Sequence, residues 1–412
     1  MEFPYFNKYL DERGIVILVS FQNFLYDMFN DHIPREKTNI MKEIEQKLKG
    51  KIDRLTNRTF KFDERIKEGW FSAVYFLKTK EIAEKKLPDN KVTMQFFQKN
   101  DAVLCGTDEA IALLHTFADN PETLEIYSLK DGDKIRPYES VLTVSGAYHQ
   151  FGYLEGIIDG ILSRRTSVAT NVYNVVKAAR TSGKQKPVIF MGDRDDHYTQ
   201  QAGDGYAAFI GGSTAQATHA MNEWWGKEGM GTMPHALIQM FRGDVVAACK
   251  AYHELFPEDE LTALVDYNND VITDSLKVAK AFGSELKSVR LDTSRTLVDK
   301  YFLRNHHLMG TFDPRGVNPE LIFALRNALD EEGYTHVKIM ASGGFTEERI
   351  IQFEKLGVPV DMYGVGRSLL KLNIGFTGDN VLLNGTPEAK EGRRYRPNPR
   401  LERVSYINQN RD

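Results

Sequence analysis

The sequence predicts an α/β protein: an irregular α/β barrel with a β-rich second domain formed by the N-terminal part and the returning C-terminus. Three observations predict it. After residue 155 short apolar runs recur: "KPVIFMG", "AAFIGG", "GTMPH", "LTALVDY", "LKSVRLDT", "HVKIMASGG" and "VDMYGVG". Helix-length amphipathic segments such as "NPELIFALRNALDEEG" separate most of them, the pattern of a parallel sheet covered by helices. Before residue 155 the chain is mixed and strand-rich, and after 376 ("GDNVLLNGTPEAKEGRRY") it is β-like again. Seven such units suit a barrel better than an open dinucleotide-binding sheet, and no G-x-G-x-x-G opens a helix in the required place.

In chain order, residues 1–55 read as an N-terminal extension with a lysine-rich helix, "TNIMKEIEQKLKGKIDRL". Residues 56–155 read as the β-rich domain. Its strand candidates are "KVTMQFFQ" (91–98), "AVLCGT" (102–107) and the run after the Asp131-Gly132 turn in "IYSLKDGDKIRPYESVLTVSG". Residues 156–375 form the barrel, and 376–412 a segment returning to the first domain.

Composition narrows the function class. The 412 residues carry a net charge of −4 and no large basic block; "EGRRYRPNPR" (391–400) reads as a solvated C-terminal segment. No nucleic-acid partner is expected. Cys105 and Cys249 are the only cysteines, too few for a disulfide framework or a cysteine zinc site, so a reducing compartment fits. The start "MEFPYFNKYLDERGIVILVSF" lacks the pattern of a signal peptide, and "GIVILVSF" is too short to span a bilayer. The expected location is the cytoplasm, with no membrane partner.

The chemistry is expected at the C-terminal ends of the barrel strands. "SGG" (342–344) ends one strand and "GVG" (364–366) the next. Glycine lets backbone N–H groups approach an anion, and the last two loops of such barrels commonly hold a phosphate. The plainer reading is two tight strand-to-helix turns. The helix after the first corner begins "TEERI", with Thr346 as N-cap and two acids in the first turn, a poor place for a dianion. After the second corner come Arg367 and Ser368. Gly364, Gly366 and Arg367 are therefore expected to grip the phosphate, with Ser342, Gly343 and Gly344 as the opposing wall.

Other strand ends carry Arg194 in "GDRDDHY", His235 in "GTMPHAL", Asp266 in "LVDYNND", and Arg290 with Asp292 in "VRLDT". Arg290 and Asp292 lie two apart on a strand and so share a face. An arginine there can hold phosphate or neutralise developing charge, and an aspartate can hold ribose hydroxyls. Each has a plain alternative: Arg290–Asp292 as a structural ion pair, His235 as a helix cap. Asp193, Asp195 and Asp196 make either a solvated turn or a magnesium aid. His306-His307 read as surface loop residues.

Taken in order, "LSRRTSVATNVYN", "GTMPHALI", "VRLDT", "ASGGF" and "MYGVG" resemble the nicotinate phosphoribosyltransferase family, close to its archaeal-type members. The likeness runs from "GWFSAVYFLKT" (69–79) to about residue 390. It implies the barrel, the β-rich domain and active sites at a dimer interface. It implies that nicotinate and 5-phosphoribosyl 1-pyrophosphate give nicotinate mononucleotide and pyrophosphate, in NAD salvage. ATP is a co-substrate, hydrolysed through a transiently phosphorylated histidine matched by His235, and Mg2+ accompanies the phosphates. Arg290 and Asp292 match residues that hold the phosphoribosyl group beside the pyridine. Gly343, Gly344, Gly364 and Gly366 match the 5′-phosphate cradle, and Arg194 a base-pocket arginine. Tyr75 matches the ring donated by the neighbouring subunit, and Lys78 a cation facing pyrophosphate.

The residues agree with such a reaction, because an oxocarbenium-like displacement needs electrostatic positioning and a flat slot, with no protein nucleophile at carbon. Departures gather at the base pocket and its rim. Ala73 stands where an acid precedes the tyrosine, and Thr214 where an aspartate is expected after "AAFIGG". "GDRDDHY" replaces a two-arginine turn, and Arg367 a common threonine. A cysteine cluster of some relatives is missing, so no zinc is expected. Nicotinamide or, less favoured, quinolinate remains an alternative base, and a catalytically silent member an alternative class. Quinolinate enzymes are shorter and need no ATP-coupling histidine.

Overall fold

Strands form where β-branched and aromatic residues cluster between turn residues, and helices where the apolar period lengthens. A computed structural model of the chain describes residues 54–55 and 58–406. The extension expected over residues 1–55 lies outside the described residues, apart from Arg54 and Leu55.

The first five strands are β1 (Lys91–Phe97), β2 (Ala102–Val103), β3 (Glu125–Ser128), β4 (Lys134–Ile135) and β5 (Leu142–Ala147). Six more follow: β6 (Val188–Phe190), β7 (Ala215–Gln216), β8 (Leu261–Leu264), β9 (Leu286–Leu291), β10 (Lys338–Ala341) and β11 (Met362–Val365). The last three are β12 (Thr377–Leu383), β13 (Thr386–Pro387) and β14 (Glu402–Val404).

These strands make a mixed α/β fold. One six-stranded sheet is antiparallel, in the order β13-β12-β1-β5-β3-β14. Its centre, β1, pairs with β5 on one side and with β12 on the other, Phe97 facing Thr377. The C-terminal strands therefore complete a sheet begun near residue 91. Gln95, buried in β1, ties the tail further: its amide donates to the Arg394 carbonyl and accepts from the Arg396 N–H.

The second sheet is a curled, parallel, six-stranded half-barrel in the order β7-β6-β11-β10-β9-β8. Among the described residues no ladder joins β7 to β8. All six C-terminal ends open at one edge, because parallel strands share a direction. That edge gathers the loops that begin at Met191, Asp266, Asp292, Ser342 and Gly366.

Two of the expected strands are not strands. "AAFIGG" lies in the helix Gln201–Gly211, which ends on Gly212 at φ 99°. Tyr206, Ala207, Ala208 and Ile210 are buried there, and a short apolar run of this kind fits either a strand or a buried helix. "GTMPH" forms no strand either: Pro234 precedes a helix, His235–Met240, and in this stretch Met233 alone is buried deeply. Within the parallel sheet the unforeseen strand is the two-residue β7.

The 24-residue helix Glu155–Ala178 binds two apolar cores together. Ile158 and Leu162 pack with Phe96, Leu113 and Val144 under the antiparallel sheet. Val168, Val172 and Val175 pack with Phe190, Leu264 and Val365 under the parallel one. Where the cores meet, the buried Arg165 donates to Glu109 (2.8 Å) and Asp204 (3.1 Å), fixing the helix Gln201–Gly211 against the long helix. Among the described residues no helix is long and apolar enough to cross a membrane.

Candidate active site

β9 carries Arg290 on its inward face, opposite Met340 of β10 and Leu264 of β8 in register. The guanidinium reaches Asp292 at only 3.9 Å, and its buried Nε has no hydrogen-bond partner among the described residues. Burial pulls its pKa down; Asp292 and Asp266 push back up, and Arg194 adds to the depression. Arg194, on the loop after β6, is thus near enough to repel it. Two guanidinium groups that are poorly neutralised by the protein mark a place for an anion.

His235 opens its helix directly after Pro234, whose extended backbone (φ −87°, ψ 161°) ends the preceding loop. Its Nε2 lies 3.1 Å from Oδ1 of Asp266, two residues past the end of β8. The histidine side chain is 44% exposed and the aspartate 4%, so a wet ring leans on a buried carboxylate. Burial pushes the Asp266 carboxyl up, His235 draws it back, and Asp292 adds to the rise. A carboxylate facing Nε2 accepts from it, which keeps the proton on that nitrogen and leaves the lone pair on Nδ1. The sequence offered Asp266 as a substrate holder; its role as partner of His235 was hidden, since 31 residues separate the two.

The glycine corners stand side by side. The Ser342 hydroxyl donates to Asp292 Oδ1 at 3.0 Å, and its N–H to the Leu291 carbonyl at 2.9 Å. Gly343 and Gly344 have φ of 89° and 77°, a left-handed pair that side chains rarely adopt. Gly364 is glycine for space, because a Cβ there would stand 2.8 Å from Met191 Sδ and 2.9 Å from Met340 Cε. At Gly366 a Cβ would meet Asp195 Oδ2 and the Met191 carbonyl, each at 2.7 Å.

That last contact departs from a bare phosphate cradle. The Asp195 side chain, 12% exposed, sits against the second corner and accepts from Arg367 Nε at 3.2 Å, while Arg367 is itself 88% exposed. Asp196 of the same loop is engaged elsewhere. It pairs with Arg164, which lowers its pKa, and the backbone of the loop is held where the Asp193 main-chain carbonyl accepts from Gln201 at 3.1 Å.

The structure thus gathers Arg194, His235, Asp266, Arg290, Asp292, Ser342, Gly343, Gly344, Gly364, Gly366 and Arg367 at one edge. Three expected residues are elsewhere in the chain. Thr214 stands at the N-terminal end of β7, its hydroxyl donating to the Val188 carbonyl at 3.0 Å, because "AAFIGG" is a helix and the strand begins after it. It faces the opposite end of the sheet from the strand-end loops. Tyr75 and Lys78 lie on the helix Val74–Lys86, which packs on the helical turns around Tyr148–Leu154, and both are exposed. Sequence reasoning passed over Arg295 and Arg349, whose guanidiniums hold the carbonyls of the first glycine corner.

Comparison with known proteins gives the same direction. A family profile described as "Quinolinate phosphoribosyl transferase, N-terminal domain" matches residues 73–166. A nicotinate phosphoribosyltransferase of Bacillus subtilis is 27% identical over 252 residues, which are 59% of this chain and 45% of that protein. The chain spans about half the length of the curated relatives it matches. Among solved structures, nicotinate-nucleotide pyrophosphorylase from Pyrococcus furiosus is 33% identical, with 81% of this chain and 80% of that one covered and a TM-score of 0.69. Human nicotinic acid phosphoribosyltransferase shares the fold at a TM-score of 0.58 and 17% identity, over 77% of this chain and 75% of that one. By the long match at 33% identity the chain belongs to the phosphoribosyltransferase family of that nicotinate-nucleotide pyrophosphorylase, which its curated relatives, named nicotinate phosphoribosyltransferases, share.

Proposed function

We propose that the protein is a nicotinate phosphoribosyltransferase, joining nicotinate to 5-phosphoribosyl 1-pyrophosphate and releasing pyrophosphate, in NAD salvage in the cytoplasm. The observation that carries the proposal is the placement of Arg290. It is a largely buried guanidinium with an unpartnered Nε, set between the His235–Asp266 pair and the Ser342–Gly344 corner. In this reading Arg290 and Arg194 receive the pyridine carboxylate and the charge at the anomeric centre. Asp292, held by Ser342, takes ribose hydroxyls. The glycine corners and Arg367 take the 5′-phosphate, and the half-barrel is read as an irregular, unclosed barrel.

His235 is proposed to accept the γ-phosphoryl group of ATP on Nδ1 and pass it to water, ADP and phosphate leaving in turn. Among the described residues no three carboxylate, histidine or cysteine groups gather as a metal cage. Mg2+ would then be held mainly by pyrophosphate oxygens, the usual habit of that ion. It would neutralise the leaving group.

The exposed aromatic residues Trp70, Phe71 and Tyr75 support a shared site. Tyr75 is 65% exposed, and in this reading it and Lys78 complete the site of a second subunit. Nicotinamide is the second reading, and the arginine pair disfavours it, since a neutral amide would leave two cations unpaired. Turnover measured with nicotinate, nicotinamide and quinolinate in parallel, with and without ATP, decides. Nicotinate should be fastest and stimulated by ATP; faster turnover of either other base would overturn the assignment.

A further inference from the structure

Arg349 stands in the first turn of the helix Glu347–Lys355, whose N-cap Thr346 accepts its N–H. Its guanidinium turns back on the preceding corner. Nη1 donates to the carbonyls of Gly343 (3.1 Å) and Gly344 (3.5 Å), and Nη2 to that of Val317. The group is clamped over the rings of Phe345 (4.3 Å) and Phe353 (5.5 Å). Arg295, on the loop after β9, donates to the Gly344 carbonyl at 2.7 Å. The partners recorded for both arginines, among the described residues, are carbonyl oxygens and rings, with no carboxylate. Burial, with Arg295 adjacent, draws Arg349 down to about 10, so it stays a cation at neutral pH.

The consequence is geometric. In a trans peptide the C=O and the N–H point to opposite sides. Fixing the Gly343 carbonyl on Arg349 turns the Gly344 N–H away from it. Fixing the Gly344 carbonyl on Arg295 and Arg349 does the same for the Phe345 N–H. Two successive N–H groups in a left-handed stretch form an anion-binding nest. Without the arginines, two left-handed glycines could present either peptide face, including carbonyl oxygens that repel an anion.

We infer that Arg349 and Arg295 are positioning residues, which lock the Ser342–Gly344 corner with its carbonyls outward and its N–H groups toward the phosphoribosyl substrate. The inference rests on the proposed reading of the site, so its test separates the two. Binding of ribose 5-phosphate is measured by calorimetry for the wild type, R349M, R349K and R295M, with KM for both substrates, kcat and Tm. R349M should bind ribose 5-phosphate about tenfold more weakly, the loss expected for one charge-assisted contact, and raise KM for 5-phosphoribosyl 1-pyrophosphate alike. The KM for nicotinate should hold within about twofold while kcat falls less. R349K should remain impaired, since a single ammonium cannot span three carbonyls.

The exposed R295M gives a second arm if R349M fails to fold, with a weaker loss in the same direction. Unchanged ribose 5-phosphate binding in folded R349M and R295M overturns the inference. So does full recovery in R349K, which would make charge alone sufficient, or equal losses for both substrates. A wild type that binds no ribose 5-phosphate overturns the proposed function itself, and the inference with it.

Discussion

At His235 the carboxylate of Asp266 engages one ring nitrogen, so the chemistry left to the residue is that of the other. Asp266→Asn keeps the size but offers an N–H to Nε2, which forces the proton onto Nδ1 and removes its lone pair. Base-stimulated ATP hydrolysis should fall by about 10²-fold or more, a typical weight for a positioned proton-transfer partner. His235→Ala should abolish that hydrolysis and leave slow, ATP-independent nucleotide formation; wild-type hydrolysis in either variant removes the pair from the mechanism. Asp195 works in the opposite sense. Its carboxylate lies at the corner assigned to phosphate, neutralised by one exposed arginine. Asp195→Asn removes a like charge worth about 1 kcal/mol near a protein surface, so ribose 5-phosphate affinity should rise about fivefold. A fall would show that Asp195 helps to hold the substrate. Neither pairing was legible in sequence: both partners of each couple were visible, but couplings across 31 and 172 positions follow from strand order alone.

At the scale of elements, the parallel strands β6 and β8 to β11 were legible because each apolar run is closed by punctuation, glycine after β6, β10 and β11 and a charged residue after β8 and β9. "AAFIGG" and "GTMPH" were not, since a short apolar run carries no period, and the error moved Thr214 from the site to the far end of β7. The corners themselves can be tested as packing. Gly366→Ala sets a methyl 2.7 Å from the Met191 carbonyl and should cost about 1–3 kcal/mol, whereas Gly375→Ala faces open space and should be near neutral. Equal melting temperatures for the two variants would show that the corner gives way. The start of the helix Thr107–Phe117 offers a pH test. Buried Asp131 accepts from the Thr107 N–H and hydroxyl, each at 2.8 Å. Burial and the nearby Asp108 push its pKa from 3.8 to about 7, against the pull of Thr107 and Arg54. Between those values the folded state binds the extra proton, so this group's contribution is full below the unfolded pKa and is lost as pH rises through about 7. Asp131→Asn should therefore flatten the decline of Tm between pH 5 and 7, and an unaltered slope would place the titration elsewhere.

For the whole molecule, the question is how Tyr75 can serve a site that its own chain builds elsewhere. Its helix packs beside Tyr148–Leu154 on the antiparallel half, and its ring, tilted by 49° against Phe76 with centroids 4.3 Å apart, is largely open to solvent, as are Trp70, Phe71 and Val74 in the same stretch of chain. Exposed aromatic residues in such a group are costly to leave wet and belong to a contact surface. If that surface meets the strand-end edge of a second copy, each site is built from two chains. Dilution to monomer should then remove activity before it removes fold. Tyr75→Ala alone should lose about 1–3 kcal/mol of stacking and be weakened rather than dead, whereas Arg290→Ala should be far worse. A mixture that forms dimers of one chain of each kind should regain activity, because one site then receives an intact Tyr75 and an intact Arg290. Sedimentation of the mixture establishes that mixed dimers form, and the assay reads their turnover. Complementation that is absent in proven mixed dimers, or a monomer with normal turnover, places Tyr75 in its own chain's service or outside the reaction.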